Sequence, residues 1–231
     1  MNCINYAHRG ASEYLPENTL LAFYAGIFLG ADGIETDVRL SRDGVPVLFH
    51  DHTLLRMTGA EGACEDYTVT ELKELFVTKD RFSDRIVTLE EFLSRFSHFP
   101  LTFAIELKGE GVEEKTAELL RQFDLSKKAV VTSFSREYLK TFRAIAPEFE
   151  IGLLTSIAEK ETLQFLHEIH AEELCPKAEI VTKEAVDAWH KEGLRVRAWG
   201  VSNEELMRHC FACNVDGMTV NFPDKLTSLK R

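Results

Sequence analysis

Residues 7–40 read AHRGASEYLPENTLLAFYAGIFLGADGIETDVRL. A first apolar run ends in His8 and Arg9, a helix-like segment follows, and a second apolar run carries Glu35 and Asp37 on alternate positions. Alternate residues of a strand point to one face, so these two carboxylates would project side by side. Two acids on one face of a buried strand repel each other unless a cation lies between them. The stretch therefore reads as strand, helix, strand, with charge where a buried strand ordinarily has none.

The same rhythm continues outward from it. CINYAH, GIETDVRL, LTFAIELK, AVVTSF, EIGLLT, AEELCP, RVRAWGV and GMTVN are eight candidate strands. Helices are expected to begin near Glu17, Thr88, Val112, Arg136, Ala158, Lys183, Asn203 and Asp224. PENT, TLEE and SNEE place acids in first helical turns, and Gly30 and Gly193 fall where helix ends are expected. Eight mostly apolar strands alternating with helices predict an α/β fold, a closed parallel (β/α)8 TIM barrel, with a doubly wound open sheet as the alternative.

One interval departs from the rhythm. Nearly forty residues with few strand signals lie between His50 and Thr88, and a loop of that length inside a compact domain is usually functional. Residues 51–87 are read as a loop insertion after the second strand, lying over the barrel mouth, with a short helix at TVTELKELF. Before it, VPVLFHD reads as a short strand extension ending in His50 and Asp51. Residues 1–231 are read as a single domain.

With 45% hydrophobic and 28% charged residues the composition is that of a soluble globular protein. A formal net charge of −11 argues against nucleic-acid or anionic-membrane partners, which need an exposed basic patch. No stretch is apolar for long enough to span a bilayer, and MNCINYAHRG lacks the apolar core of a signal peptide, so stable membrane insertion is not expected. The five cysteines are odd in number and irregularly spaced, which reads as free thiols in a reducing cytoplasm. Cys210 and Cys213 form a C-x-x-C with no second pair and read as helix packing, not as a zinc site.

In a barrel of this kind the site lies at the C-terminal ends of the strands. Those ends supply His8 and Arg9, Glu35 and Asp37, Glu106 and Lys108, Ser133, Lys177 and Trp199, with His50 and Asp51 just after the second strand. Glu35 and Asp37 alone could form an ion network with Arg9 and Lys108. Adding Glu106 shifts the balance toward a metal, and three carboxylates describe a hard, oxygen-preferring site for one divalent cation, Mg²⁺ or Ca²⁺. In RVRAW, Arg195, Arg197 and Trp199 share a face. An interior arginine there is expected to face an acid, and Trp199 is expected either to form an apolar wall for a substrate or to plug the barrel top.

AHRG, PENT, GADGIETDVRLSRDGVPVLFHD, TLEEFL, FAIELK and AWGVSNEE, in order from about residue 5 to about residue 226, resemble the glycerophosphodiester phosphodiesterase family. The resemblance implies a (β/α)8 barrel, a divalent metal, two catalytic histidines, and hydrolysis of small-molecule glycerophosphodiesters to glycerol 3-phosphate and an alcohol. Carried over by position, it makes His8 and His50 the acid/base pair and Glu35, Asp37 and Glu106 the metal ligands. Arg9 and Lys108 become phosphate-contacting cations, and Trp199 the aromatic at the mouth. The chain departs from the family pattern at Leu55, where an acid is common, at Val87, where proline is usual, and at Asn221, where VNFP replaces an acid-bearing motif. These departures are expected to bear on substrate preference and loop shape without touching the metal site or the histidines. A lysophospholipase D-like activity on longer-chain substrates is an alternative that needs an apolar groove, for which LLRM and LKELF are candidates. A non-catalytic barrel that only binds phosphorylated ligands would be expected to have lost one of the five histidine and metal positions, and all five are present.

Overall fold

The computed structural model describes residues 3–231. Eight strands form the barrel: β1 (Ile4–His8), β2 (Gly33–Leu40), β6 (Thr102–Leu107), β7 (Ala129–Ser133), β8 (Glu150–Thr155), β9 (Glu173–Pro176), β10 (Arg195–Val201) and β11 (Gly217–Val220). Each pairs in parallel with the next, and β1 pairs with both β2 and β11, which closes the sheet. The expected TIM barrel is the observed fold.

Seven helices cover the barrel: α1 (Leu20–Phe28), α4 (Leu89–Phe96), α5 (Val112–Gln122), α6 (Arg136–Ile145), α7 (Lys160–Glu168), α8 (Lys183–Lys191) and α9 (Glu204–Ala212); α10 (Pro223–Leu229) follows β11. Thr88 and Asn203 cap their helices as the sequence suggests, and Thr88 forms a reciprocal capping box with Glu91. PENT behaves differently. Thr19, not an acid, caps α1, and Glu17 stays in the loop because Asn18 adopts a left-handed φ of 57° that no helical turn accommodates.

Outward-facing strand residues such as Ile34, Phe103, Ile105, Val131, Ile151, Val196 and Met218 join the inner faces of the helices in one apolar core. Phe92 of α4 anchors part of it, with ring centroids 4.7 Å from Phe23 and 5.7 Å from Phe103. The barrel interior is by contrast polar. Above a small layer of Tyr6, Ala104 and Val130 lies Arg197, 1% exposed, which donates to Glu173 from Nε (3.2 Å) and Nη2 (3.1 Å) and to Thr219 from Nη1 (2.9 Å). Arg195 forms a second pair with Glu150. Glu173 lies on β9, beside β10, and Glu150 on β8, one strand further round, so both arginines of β10 meet an acid.

VPVLFHD is not an extension of β2. It turns back at Gly44 to form β3 (Pro46–Leu48), antiparallel to β2, and the Phe49 amide donates to the Asp37 carbonyl. Beyond it, residues 51–87 hold α2 (Leu55–Thr58), a 3-10 turn at Cys64–Asp66, α3 (Val69–Leu72), and a hairpin of β4 (Phe76–Lys79) and β5 (Phe82–Arg85). The hairpin carries no clear strand pattern because most of its side chains are polar and only Val77 is buried. Leu54, Met57 and Leu72, from the apolar LLRM and LKELF segments, are buried with Val47, Phe49, Cys64, Val77 and Ile86 in a second core. They pack the excursion, while Leu55 and Phe76 of the same segments remain exposed. All five cysteines are free and buried, and among the described residues no helix is long and apolar enough to cross a membrane.

Removing one member of a buried ion pair strands its partner without compensation. Glu173→Ala should therefore lower unfolding stability by about 3–5 kcal/mol in denaturant titrations, and Glu173→Gln, which keeps an acceptor for Arg197, should cost clearly less.

Candidate active site

The turn after β1 begins the site. His8 ends the strand, Arg9 takes a left-handed φ of 55°, and Gly10 follows at 83°. A Cβ on Gly10 would lie 2.4 Å from the Ala22 carbonyl carbon, so only glycine lets the turn rest on α1. The Arg9 amide donates to the Glu35 carbonyl, and the Arg9 carbonyl accepts from the Asn18 amide, so the HRG and PENT segments hold each other.

Strand register does the next part. Asp37 of β2 pairs with Glu106 of β6, and His8 of β1 with Glu35 of β2. Glu35, Asp37 and Glu106 are buried, and one carboxylate oxygen from each lies within 4.8 Å of the others. Arg9 Nε lies 3.0 Å from Asp37 Oδ2, and Lys108 Nζ lies 2.6 Å from Glu106 Oε1 and 3.5 Å from Asp37 Oδ1. Asn18 donates to Asp37 Oδ2 at 2.9 Å. Both readings of the acids are thus present in one cluster, since the flanking cations form ion pairs with acids that also crowd each other.

The electrostatics show which acids the cations satisfy. Burial alone would raise the Asp37 carboxyl, but Arg9 and Lys108 hold it well below its ordinary value. Burial, with Asp37 and Glu106 beside it, pushes Glu35 well above the carboxylate range. Burial and Asp37 likewise push Glu106 up to about 7, even against Lys108. Asp37 Oδ1 is buried and makes no hydrogen bond. Three carboxylates, two of them short of positive charge, with one orphaned oxygen among them, fit a hard divalent cation.

The two histidines are held differently. His50 follows β3; its carbonyl accepts from Arg39 Nε and Nη2, and its Nδ1 lies 2.7 Å from Asp51 Oδ1. Arg56 of α2 reaches both Asp51 and Glu17, with Nη2 2.9 Å from Asp51 Oδ1 and 2.7 Å from Glu17 Oε1. Its hydrogen bonds hold Asp51 down to about 2. Glu17 in turn accepts from Arg9 Nη1 at 2.8 Å. Glu17, His50 and Asp51 are close enough to form a second ion-binding group, but arginines already occupy its carboxylates.

His8 Nδ1 lies 2.5 Å from Asn221 Oδ1. The expectation that no departure from the family pattern touches a histidine is therefore wrong. β11 runs beside β1 in the closed barrel, so the residue after Val220 arrives next to His8, 213 positions away in sequence.

His8, Arg9, Glu35, His50, Glu106, Lys108 and Trp199 line one cavity of about 160 Å³, which Thr132, Phe134 and Arg197 also reach. Asp37 lies behind the lining, fully buried, and two other strand-end residues are turned away from the site. Ser133 faces outward and donates to the Leu107 carbonyl, leaving Thr132 on the inner face, and Lys177 pairs with Glu179 outside the lining. Phe134, 46% exposed, meets Trp199 edge-on at 4.9 Å, and Trp199 Nε1 donates to the Thr155 carbonyl. Phe134 and Arg56 carry no sequence signal beyond their nearness to motif residues, Glu17 lies within PENT with no site role expected of it, and Asn221 stands out only as a departure from the family pattern.

Comparison with known proteins follows the same line. The family model described as the glycerophosphoryl diester phosphodiesterase family matches residues 8–225. A glycerophosphodiester phosphodiesterase of Caldanaerobacter subterraneus is 32% identical over 240 residues, covering 100% of this chain and 99% of its own. One of Bacillus altitudinis is 34% identical, covering 97% of each chain. The crystal structure of glycerophosphodiester phosphodiesterase from Agrobacterium tumefaciens superposes with a TM-score of 0.87 at 29% identity, over 99% of this chain and 100% of that one. A phosphodiesterase of Oleispira antarctica, solved in complex with the product sn-glycerol-3-phosphate, superposes at 0.86 with 27% identity, over 96% and 94%.

A carboxyl raised to about 7 on folding, from about 4.3 when unfolded, destabilises the fold progressively as pH rises through that window. In chelator, Glu106→Gln should therefore gain thermal stability relative to the parent at pH 8 and show little gain at pH 5. Melting curves at the two pH values check the sign, and a pH-independent difference would show that Glu106 is not the strained acid.

Proposed function

The chain belongs to the glycerophosphoryl diester phosphodiesterase family, and from that premise we propose that it hydrolyses glycerophosphodiesters to glycerol 3-phosphate and an alcohol, using one divalent cation and two histidines. The observation that carries this reading is the convergence of His8, His50, Arg9, Lys108, Glu35 and Glu106 on one cavity, with Asp37 buried beside the two glutamates. Residues 1–231 act as one domain in this reading. The named relatives and the product-bound Oleispira structure support the substrate class.

Glu35, Asp37 and Glu106 would hold Mg²⁺ or Ca²⁺, which when bound supplies positive charge against the phosphoryl oxygens. Arg9 and Lys108 face the same space and add fixed positive charge where the transition state gathers negative charge. Each histidine is anchored at Nδ1, which leaves Nε2 as the atom that takes or gives a proton in the cavity. One takes a proton from the attacking oxygen while the other gives one to the departing alkoxide, and each transfer is typically worth about 10²–10⁴-fold.

An attacking hydroxyl already tethered to the phosphate gains from proximity. The reading favours the substrate's own glycerol hydroxyl as first nucleophile, with water then opening the cyclic phosphate. Trp199, braced by Phe134 and the Thr155 carbonyl, provides the apolar wall against the glycerol carbons. The free, buried thiols are in keeping with a cytoplasmic location. Of the apolar segments that a longer-chain activity would use, Leu54, Met57, Leu72 and Leu75 pack in the second core, which favours small substrates.

His8→Gln and His50→Gln should each lower kcat for glycerol 3-phosphate release by about 10²–10⁴-fold, and the double variant should fall far short of the product of the two losses. A coupled assay for glycerol 3-phosphate measures this. Release of free glycerol instead would mean cleavage of the other ester bond and a different reaction.

A further inference from the structure

His8 is held by an amide, His50 by a carboxylate. Asn221 Oδ1 lies 2.5 Å from His8 Nδ1, and Ser12 Oγ donates to the same oxygen at 3.0 Å. The Asn221 carbonyl accepts from the Glu13 amide at 3.0 Å, so its backbone is tied to the loop that carries Ser12. A carbonyl oxygen has two lone pairs. With one turned to the Ser12 hydroxyl and the other to the imidazole, His8 must carry its proton on Nδ1. A neutral imidazole protonated there has its lone pair on Nε2. That nitrogen lies 3.8 Å from Glu35 Oε2, on the side of the acids.

We propose that Asn221, braced by Ser12, is a positioning residue for His8: it fixes the Nδ1–H tautomer and turns the Nε2 lone pair toward the cavity. The inference rests on the catalytic reading of His8, which it deepens. It also separates the two histidines by chemistry. His50 Nδ1 meets the Asp51 carboxylate, whereas His8 Nδ1 meets a neutral amide that orients the ring without adding a charge.

The test is nitrogen NMR on the full chain with ¹⁵N-labelled histidine, the His8 signals being identified by their loss in His8→Gln, alongside steady-state kinetics. The parent should show a protonated Nδ1 and an unprotonated Nε2. Asn221→Asp keeps an oxygen acceptor and should retain this tautomer and most of the turnover. Asn221→Leu should lose the single tautomer and about tenfold in kcat, the order expected for one hydrogen bond, with KM nearly unchanged. A parent His8 protonated on Nε2 would overturn the proposal, because the amide nitrogen and not the oxygen would then face the ring. So would an Asn221→Asp variant that loses as much turnover as a folded Asn221→Leu variant, or an Asn221→Leu variant that keeps both tautomer and kcat. If Asn221→Leu does not fold, the parent spectrum and Asn221→Asp decide. Undiminished turnover in His8→Gln would instead defeat the catalytic reading, while the tautomer would still be read directly.

Discussion

Asp37 has no exposed surface, and every charged part of the site is arranged around it. A lone buried carboxylate is prohibitively costly. Here Arg9, Lys108 and Asn18 all approach it, and that compensation keeps it ionised between two other acids. Its neighbours Glu35 and Glu106 are left undercompensated. The protein thus holds a site that is more negative than its own cations can balance, open to a cavity on one side. A structural ion network would be expected to close on itself; this one leaves Asp37 Oδ1 without a hydrogen bond.

From Asp37 the same chain of charges runs outward. Arg9 bonds Glu17, Glu17 and Asp51 share Arg56, and Asp51 holds His50. The excursion after β3 is therefore tied into the site. Its second apolar core fixes α2, and α2 carries the arginine that joins His50 to the β1 turn. Packing at one end of this network sets geometry at the other, because the carboxylates and guanidinium groups meet in pairs of fixed direction. The polar barrel interior has a related logic: Arg197, which reaches the cavity, is already paired with the buried Glu173 and does not offset the acids at the mouth.

Much of this was legible in the sequence. All eight barrel strands were visible because they are short, apolar and separated by helical periods, and the alternation of Glu35 with Asp37 marked the inner face directly. Thr88 and Asn203 announced their helices through local capping chemistry. What escaped notice depended on long-range contact or on a single step of register. Asn221 meets His8 across 213 residues, and Arg56 meets Glu17 across 39. Ser133 and Thr132 exchange roles because adjacent strand residues face opposite sides, so choosing the last strand residue selects the wrong face. The β4–β5 hairpin is largely exposed and polar, and without burial on one face there is no alternation to read.

The central claim is that three carboxylates around Asp37 form a cation site whose acids are partly protonated when no cation is bound. Titration calorimetry of chelator-stripped protein with Mg²⁺ and Ca²⁺ near pH 6.5, in two buffers of different ionisation enthalpy, tests it directly. The account predicts one divalent site, with protons released to the buffer as Glu35 and Glu106 give them up, and loss of that site in Asp37→Asn. Absence of binding in the parent, or equal binding in parent and Asp37→Asn, would contradict it.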